Sequence, residues 1–226
     1  MKVFQDRVEA GYLLAEALDA YRGRDDVLVL ALPRGGVPVA YEVARALGAP
    51  LDVMVVRKIG APGQPELAMG AIASGGVELW NHEVVGYLGV PEAMRNQIVR
   101  REAAELERRE RAYRGDRPPF DAAGRTVILV DDGIATGASM YAAIEALKKL
   151  HPARLVVAVP TAPPDTAAEL EGVVDEVVCL DRPWPFRAVG CWYRDFGQTG
   201  DAEVRRLLDA ADKSLTPGGR GRPGAA

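Results

Sequence analysis

The sequence predicts an α/β fold in which a parallel sheet of about five strands is flanked by helices. Short, unbroken apolar runs such as Val27–Ala31 recur along the chain, and segments with helical periodicity separate them. Strands buried on both faces have this apolar pattern, and a helix between consecutive strands is the usual parallel crossover. The length of 226 residues is enough for one such domain with a small additional unit.

The composition is that of a folded globular chain and excludes several classes of protein. Apolar residues make up 48% of the chain and charged residues 27%, which excludes wholesale disorder. No apolar run reaches the roughly 18 residues of a membrane helix, and the first residues show no signal-peptide pattern. Cys179 and Cys191, with no CxxC pattern, argue against a disulfide framework or a structural zinc site. We therefore expect a cytoplasmic protein with no membrane partner.

In the first half of the chain, helical and apolar segments alternate. Val8, Tyr12 and Ala15 fall on one helical stripe, which predicts an amphipathic opening helix. Gly48 is placed to end a helix that begins near Pro38. The predicted elements are a helix over 6–21, a strand over 27–31, a helix over 37–47, a strand over 51–56, a Gly/Pro-rich loop, and one or two short antiparallel strands over 70–79.

The second half begins with a long charged helix and continues the alternation. The Arg/Glu run over 100–114 could bind nucleic acid, but its interleaved glutamates favour a solvated, self-paired helix face. The net charge of −4 also argues against a nucleic-acid partner. The predicted elements are a helix over 91–114, a strand over 126–130, a helix over 138–150, a strand over 155–159, a helix near 165–171 and a strand over 173–180.

Three regions are predicted along the chain. Residues 1–182 form the core, and a flexible loop is expected within it over about 58–70. Residues 183–212 form a hood and a C-terminal helix. The name hood is used below for the aromatic segment 183–199. Residues 213–226 are rich in Gly, Pro and Arg and are predicted to be disordered.

The most informative segment is 127–139, where a buried strand ends in two adjacent carboxylates, Asp131 and Asp132. Ligands of parallel α/β folds bind beyond the carboxyl ends of the strands. The small-residue loop and the helix that follows suit an anion, and Thr136 and Ser139 add hydroxyl donors. The carboxylates can bind a diol or a hydrated divalent cation. The segment therefore predicts a ribose 5-phosphate site; the alternative is a simple turn and helix cap.

Residues 127–139, VILVDDGIATGAS, resemble the 5-phosphoribosyl-1-pyrophosphate (PRPP) signature of the type I phosphoribosyltransferases. Gly133 departs from the pattern, because the family usually has an aliphatic residue there. The resemblance implies that the acidic pair is catalytic, holds the ribose hydroxyls and binds Mg²⁺ through water, while the loop anchors the 5-phosphate. The PRPP-binding residues that it implies in this segment are Asp131, Asp132, Ile134, Ala135, Thr136, Gly137, Ala138 and Ser139.

Residues 32–36, LPRGG, follow the first strand and resemble the pyrophosphate-binding loop of the same family. The resemblance implies pyrophosphate contacts from Arg34, whose guanidinium can donate two parallel hydrogen bonds, and from Gly35 and Gly36. In the family this loop often contains a non-proline cis peptide bond. Here that bond maps to Pro33–Arg34.

A third segment, 56–58, ends the second strand and resembles the start of the flexible catalytic loop in adenine and orotate phosphoribosyltransferases. It implies that Arg57 and Lys58 bind pyrophosphate and that Lys58 and Glu66 are catalytic. The loop would close over the site and exclude water, which competes with the acceptor for the ribosyl cation.

The resemblance implies Mg²⁺-dependent transfer of the 5-phosphoribosyl group from PRPP to a nitrogenous base, with release of pyrophosphate. The partners would be small-molecule substrates, and we expect a homodimer. The alternative is a regulatory protein that senses PRPP or nucleotides with the same fold and no catalysis.

The acceptor is predicted to lie against the hood. Phe186, Trp192 and Tyr193 could stack on a flat heterocycle, or they could form a small satellite core. Their position after the last core strand, where the family has its hood, favours base binding. Ala135 stands where hypoxanthine/guanine enzymes have an aspartate that contacts the base, which disfavours a 6-oxopurine. The Ala-Thr-Gly form resembles the adenine and uracil enzymes, and Arg57-Lys58 resembles the adenine and orotate enzymes. A purine or pyrimidine base is therefore expected, with adenine slightly favoured.

Overall fold

The computed structural model describes residues 2–215, with the backbone alone at positions 65 and 66. Within this range the chain forms eight strands and seven α-helices. The strands are β1 (Val27–Ala31), β2 (Leu51–Val53), β3 (Val56–Ala61), β4 (Gln64–Ala73), β5 (Val77–Trp80), β6 (Thr126–Val130), β7 (Arg154–Thr161) and β8 (Glu176–Asp181). The helices are α1 (Arg7–Ala17), α2 (Gly36–Leu47), α3 (His82–Leu88), α4 (Glu92–Arg114), α5 (Ala138–Lys148), α6 (Pro164–Glu171) and α7 (Asp201–Leu215).

The main sheet has five parallel strands in the order β2-β1-β6-β7-β8, which confirms the predicted fold class. Neighbouring side chains on β1 point to opposite faces: Val29 packs into a core with α1, α2 and α7, and Leu30 into a core with α5 and α6. Both residues are completely buried. Burial on both faces explains why the strand sequences are unbroken apolar runs.

The segment 58–70 was predicted to be a flexible loop, but it forms most of an antiparallel hairpin of β3 and β4. This hairpin and β5 make a separate three-stranded sheet. The Gly/Pro content suggested a loop, yet only the tight turn at Pro62 and Gly63 uses it, and Gly63 has a φ of 73°. Ile59 and Met69 are fully buried and hold the two strands against the core. Closure of this hairpin over the site stays a prediction.

The helices that follow the hairpin differ in how well the sequence predicted them. The long helix α4 begins after Pro91 and ends at Gly115, as predicted. The short helix α3 was missed. Its ends carry ordinary signals: the side chain of Asn81 accepts the N–H of Val84 at 3.1 Å, and Gly89 has a φ of 57° at the C-terminus.

The C-terminal helix α7 packs one apolar stripe, Val204, Leu207, Leu208 and Ala211, against the core. It extends to Leu215 and so enters the segment 213–226, for which disorder was predicted. Residues 216–226 lie outside the described range. No helix within residues 2–215 is both long and apolar enough to cross a membrane.

Candidate functional site at the carboxyl edge of the sheet

Two loops meet where β1 and β6 end side by side. Ala31 pairs with Val130 in the parallel register, so the loop after β1 and the acidic pair after β6 leave the sheet at the same edge. An added Cβ at Gly35 would overlap the Asp132 carboxylate, and one at Gly36 would lie 2.9 Å from Asp131 Cα. The two glycines therefore permit this close approach. The Pro33–Arg34 peptide bond is cis, as the resemblance predicted.

The acidic pair is electrostatically strained. Burial, and then the neighbouring Asp132 charge, raise the pKa of Asp131 well above its ordinary value. Burial also raises the pKa of Asp132, although the guanidinium of Arg7 opposes this shift. Asp132 donates its backbone N–H to Asp131 Oδ1 at 2.8 Å. A cation placed beside these carboxylates would relieve their mutual repulsion.

The predicted 5-phosphate loop turns into α5 at Gly137, which has a φ of 74°. No side chain of the described residues caps this helix, so its first N–H groups are available to an anion. Four of the predicted PRPP contacts in this loop are exposed: Ala135, Thr136, Ala138 and Ser139. Ile134 is different, because its side chain is buried and its N–H donates to Thr161 O at 2.9 Å. It therefore supports the loop and offers no donor.

A cavity of about 410 Å³ lies over the acidic pair and joins it to the pyrophosphate loop. Arg34 lines it, with its Nη1 atom 3.4 Å from Asp201 Oδ1 at the start of α7. The cavity is also lined by residues that the sequence did not indicate as site residues, Arg7 and the hood residues 196–199. Arg7 begins α1, and its position in the site depends on the packing of that helix.

The structure does not bring Arg57 and Lys58 to this cavity. They lie on β3 and line a different cavity, of about 890 Å³, between the hairpin and α4. Arg57 donates from Nε to Glu102 Oε2 at 2.9 Å. Glu66 lies on β4, and its side chain is outside the described part of the chain. Lys58 also lines a cavity of about 550 Å³ together with Ser139 of the predicted 5-phosphate loop. The roles predicted for Arg57, Lys58 and Glu66 stay predictions.

The hood aromatics form a small core together with the N-terminal segment. Trp192 and Tyr193 are each 6% exposed and pack with Phe4, while Phe186 packs against this cluster. The ring centroids of Phe4 and Tyr193 are 5.5 Å apart. Their burial favours the satellite-core interpretation for Trp192 and Tyr193 over stacking on a base. Base binding by these two residues, and by the half-buried Phe186, stays a prediction. The Tyr193 hydroxyl donates to Asp132 O at 2.5 Å, so this core supports the site.

The chain matches the family model described as "Phosphoribosyl transferase domain" over residues 8–195. The chain belongs to this family. Relatives named "Putative phosphoribosyl transferase" from two Mycobacterium tuberculosis strains, CDC 1551 and H37Rv, are 47% identical over 219 residues. The match covers 97% of this chain but 49% of those relatives, so the chain spans about half of their length.

A solved structure is similar to this chain over nearly its full length. TT1426 from Thermus thermophilus is 46% identical, with a TM-score of 0.80, and the match covers 92% of this chain and 98% of that one. The family match and this structure confirm the predicted resemblance to the type I phosphoribosyltransferases. The three segments that carry the resemblance, 32–36, 56–58 and 127–139, all lie within the matched residues.

Proposed function

We propose that this protein transfers the 5-phosphoribosyl group of PRPP to a nitrogenous base and releases pyrophosphate. One observation carries the proposal: the glycines of the pyrophosphate loop pack directly against the acidic pair of the PRPP signature. With the roles that the resemblance implies, this contact would put the group that binds the ribose diol next to the loop that binds pyrophosphate. PRPP carries those two features on adjacent atoms, since its pyrophosphate is attached to C1 of the ribose.

The 5-phosphate would bind at the uncapped N-terminus of α5. Thr136 and Ser139 are exposed there and add hydroxyl donors to the backbone N–H groups. The ribose would then extend from this helix to Asp131 and Asp132, which accept hydrogen bonds from its hydroxyls. Arg34 would give up its 3.4 Å contact with Asp201 and donate to the pyrophosphate.

The donor set fits Mg²⁺ that is brought with the substrate. Within residues 2–215, no cluster of three or more His, Cys, Asp or Glu side chains could hold a metal ion by itself. Mg²⁺ in phosphoryl-substrate sites is usually held by one or two carboxylates, water and substrate oxygens. Asp131 and Asp132 would hold it through water. When bound, the ion would neutralise charge on the departing pyrophosphate.

The acidic pair would also favour the transition state. Breaking the bond from C1 to pyrophosphate leaves positive charge on the ribose ring. Since burial raises the pKa of both Asp131 and Asp132, a positive charge beside them would stabilise their ionised forms, and they would in turn stabilise the transition state. The acceptor nitrogen would attack C1 from the side opposite to pyrophosphate. Adenine is the favoured acceptor because Ala135, which is exposed in the signature loop, offers no carboxylate to a 6-oxopurine.

The test is pyrophosphate release from PRPP and Mg²⁺ with a panel of bases. We expect turnover with at least one base, and we expect the double variant Asp131→Asn/Asp132→Asn to lose at least about a hundredfold in kcat/KM. Asp25→Asn is the matched control, since this exposed carboxylate precedes β1 at the opposite edge of the sheet. PRPP binding without turnover on any base would instead support the sensing function, and unchanged kinetics in the folded double variant would contradict the proposal.

A further inference from the structure

The guanidinium of Arg7 lies between the acidic pair and the pyrophosphate loop. Its Nε atom donates to Asp132 Oδ2 at 2.8 Å, and the side chain is 12% exposed. The same oxygen is the atom that a Cβ at Gly35 would overlap. Arg7 and Gly35 therefore approach one carboxylate oxygen from two sides, and both line the cavity of about 410 Å³.

Two further contacts hold this guanidinium independently of Asp132. Its Nη1 atom donates to Gly197 O at 2.7 Å, and its central carbon lies 3.9 Å from the centroid of the Phe196 ring. The Nη2 atom makes no hydrogen bond to any residue within 2–215. If Asp132 were engaged by another group, Arg7 would still be held in the cavity with donors to spare.

We propose that Arg7 is a pyrophosphate-binding residue that pairs with Asp132 only while the site is free. This inference rests on the function proposed above. When ribose hydroxyls and the hydration water of a cation occupy Asp132, the guanidinium loses its counter-charge and lies next to the pyrophosphate. It then donates to phosphate oxygens together with Arg34, which lines the same cavity. No covalent step is involved.

A purely structural role makes a different prediction. In that case the Arg7–Asp132 ion pair would only fix α1 against the loop that follows β6, and substrate affinity would not depend on it beyond the effect on folding. Arg45 provides the matched comparison. Arg45 lies on α2 and also holds α1, through a 2.8 Å hydrogen bond to the Tyr12 hydroxyl, while its ion pair with Glu42 is within α2. It is not among the residues that line the site cavity.

The experiment measures the dissociation constant of pyrophosphate with Mg²⁺ by calorimetry, for wild type, Arg7→Gln and Arg45→Gln. Mn²⁺ binding without pyrophosphate, followed by electron paramagnetic resonance, reports on the acidic pair. We expect Arg7→Gln to weaken pyrophosphate about tenfold or more, as the loss of a charge-assisted hydrogen bond implies, and to bind Mn²⁺ no more weakly than wild type. Arg45→Gln should bind both as wild type does.

Pyrophosphate affinity within twofold of wild type in folded Arg7→Gln would overturn the inference. If Arg7→Gln fails to fold or loses Mn²⁺ binding, Arg7→Lys decides, because it keeps the charge at Asp132 but lacks the planar guanidinium that donates two parallel hydrogen bonds to phosphate oxygens. A loss of threefold or more in Arg7→Lys supports the inference, and a smaller loss overturns it. If the wild type binds neither PRPP nor pyrophosphate, the result would instead contradict the proposed function.

Discussion

At the scale of single residues, the site is defined by groups that are unfavourable by themselves. Asp131 and Asp132 repel each other, and Gly35 and Gly36 give up side-chain packing to let the pyrophosphate loop approach them. Arg7 partly offsets the first effect in the free protein by pairing with Asp132. Strain of this kind is typical of a binding site, because a ligand can relieve it.

The first prediction concerns Gly35→Ala. The new Cβ would overlap the Asp132 carboxylate, so the loop or the carboxylate must move, and we expect PRPP affinity to fall at least about tenfold. Gly86→Ala is the control, because no atom lies within 4 Å of its added Cβ and the residue is within α3. Calorimetric titration with PRPP and Mg²⁺ tests both variants. Equal affinity in the two would show that the close approach is not required.

The second prediction concerns pH. Since burial and Asp132 raise the pKa of Asp131, the fold favours its protonated form, and stability is lost as pH rises from about 4 through the raised pKa. Asn cannot ionise and can still accept the N–H of Asp132 through Oδ1. Without ligand, Asp131→Asn should therefore melt at least about 2 °C above wild type at pH 7, and this advantage should disappear near pH 4. A lower melting temperature at pH 7 would contradict the electrostatic account.

At the scale of elements, the hood packs directly on the PRPP-signature loop. An added Cβ at Gly133 would lie 2.5 Å from Val189 Cγ1 and 3.1 Å from Thr161 Cγ2. This explains the departure from the family pattern at Gly133: the space of an aliphatic side chain is taken by Val189 from the hood. The two positions are therefore coupled.

The third prediction tests this coupling with a double-mutant cycle. Gly133→Ala should lower the free energy of unfolding by about 1–3 kcal/mol, because it overpacks the contact with Val189. Val189→Ala removes both clashing methyl groups and should recover most of that loss in the double variant. Urea denaturation of the four proteins gives the interaction free energy. Additive effects would mean that the contact does not limit position 133.

At the scale of the whole molecule, the N-terminal segment packs against the hood near the other end of the matched domain. Phe4 donates its N–H to Trp192 O at 2.8 Å, and its own carbonyl accepts the N–H of Arg194 at 2.9 Å. This small core connects to the site through the Tyr193–Asp132 hydrogen bond and through Arg7 on Phe196. The small core thus joins the hood to residues far away in the chain, and its packing positions the site.

The fourth prediction is that Trp192 is a stability residue. Trp192→Ala should cost about 3–5 kcal/mol and lower the melting temperature by about 10 °C, as expected for a buried aromatic side chain. Trp184→Ala is the control, because Trp184 is 75% exposed and its loss should change the melting temperature little. Differential scanning calorimetry compares them. Equal melting temperatures of Trp192→Ala and Trp184→Ala would instead support base stacking by Trp192.

The sequence by itself determined the class of fold and the main binding segments. Unbroken apolar runs predict a parallel sheet because its strands are buried on both faces, and Asp131-Asp132 with LPRGG follow two strands that end at one edge. These signals are local, so neighbouring residues in the chain carry them. The hairpin at 58–70 was misjudged because its Gly and Pro residues hid two strands that are fixed by contacts with the core.

Only the tertiary structure decided which distant side chains complete the site. Nothing near Arg7 in the sequence indicates that its guanidinium reaches Asp132, which is 125 positions away. The position of Trp192 and Tyr193 in the sequence favoured stacking on a base, whereas their burial against Phe4 of the N-terminal segment favours a role in the core. Likewise, Arg57 pairs with Glu102 on a helix that the motif does not include. Long-range packing fixes these contacts, because burial and charge pairing depend on which surfaces meet and not on the order of residues.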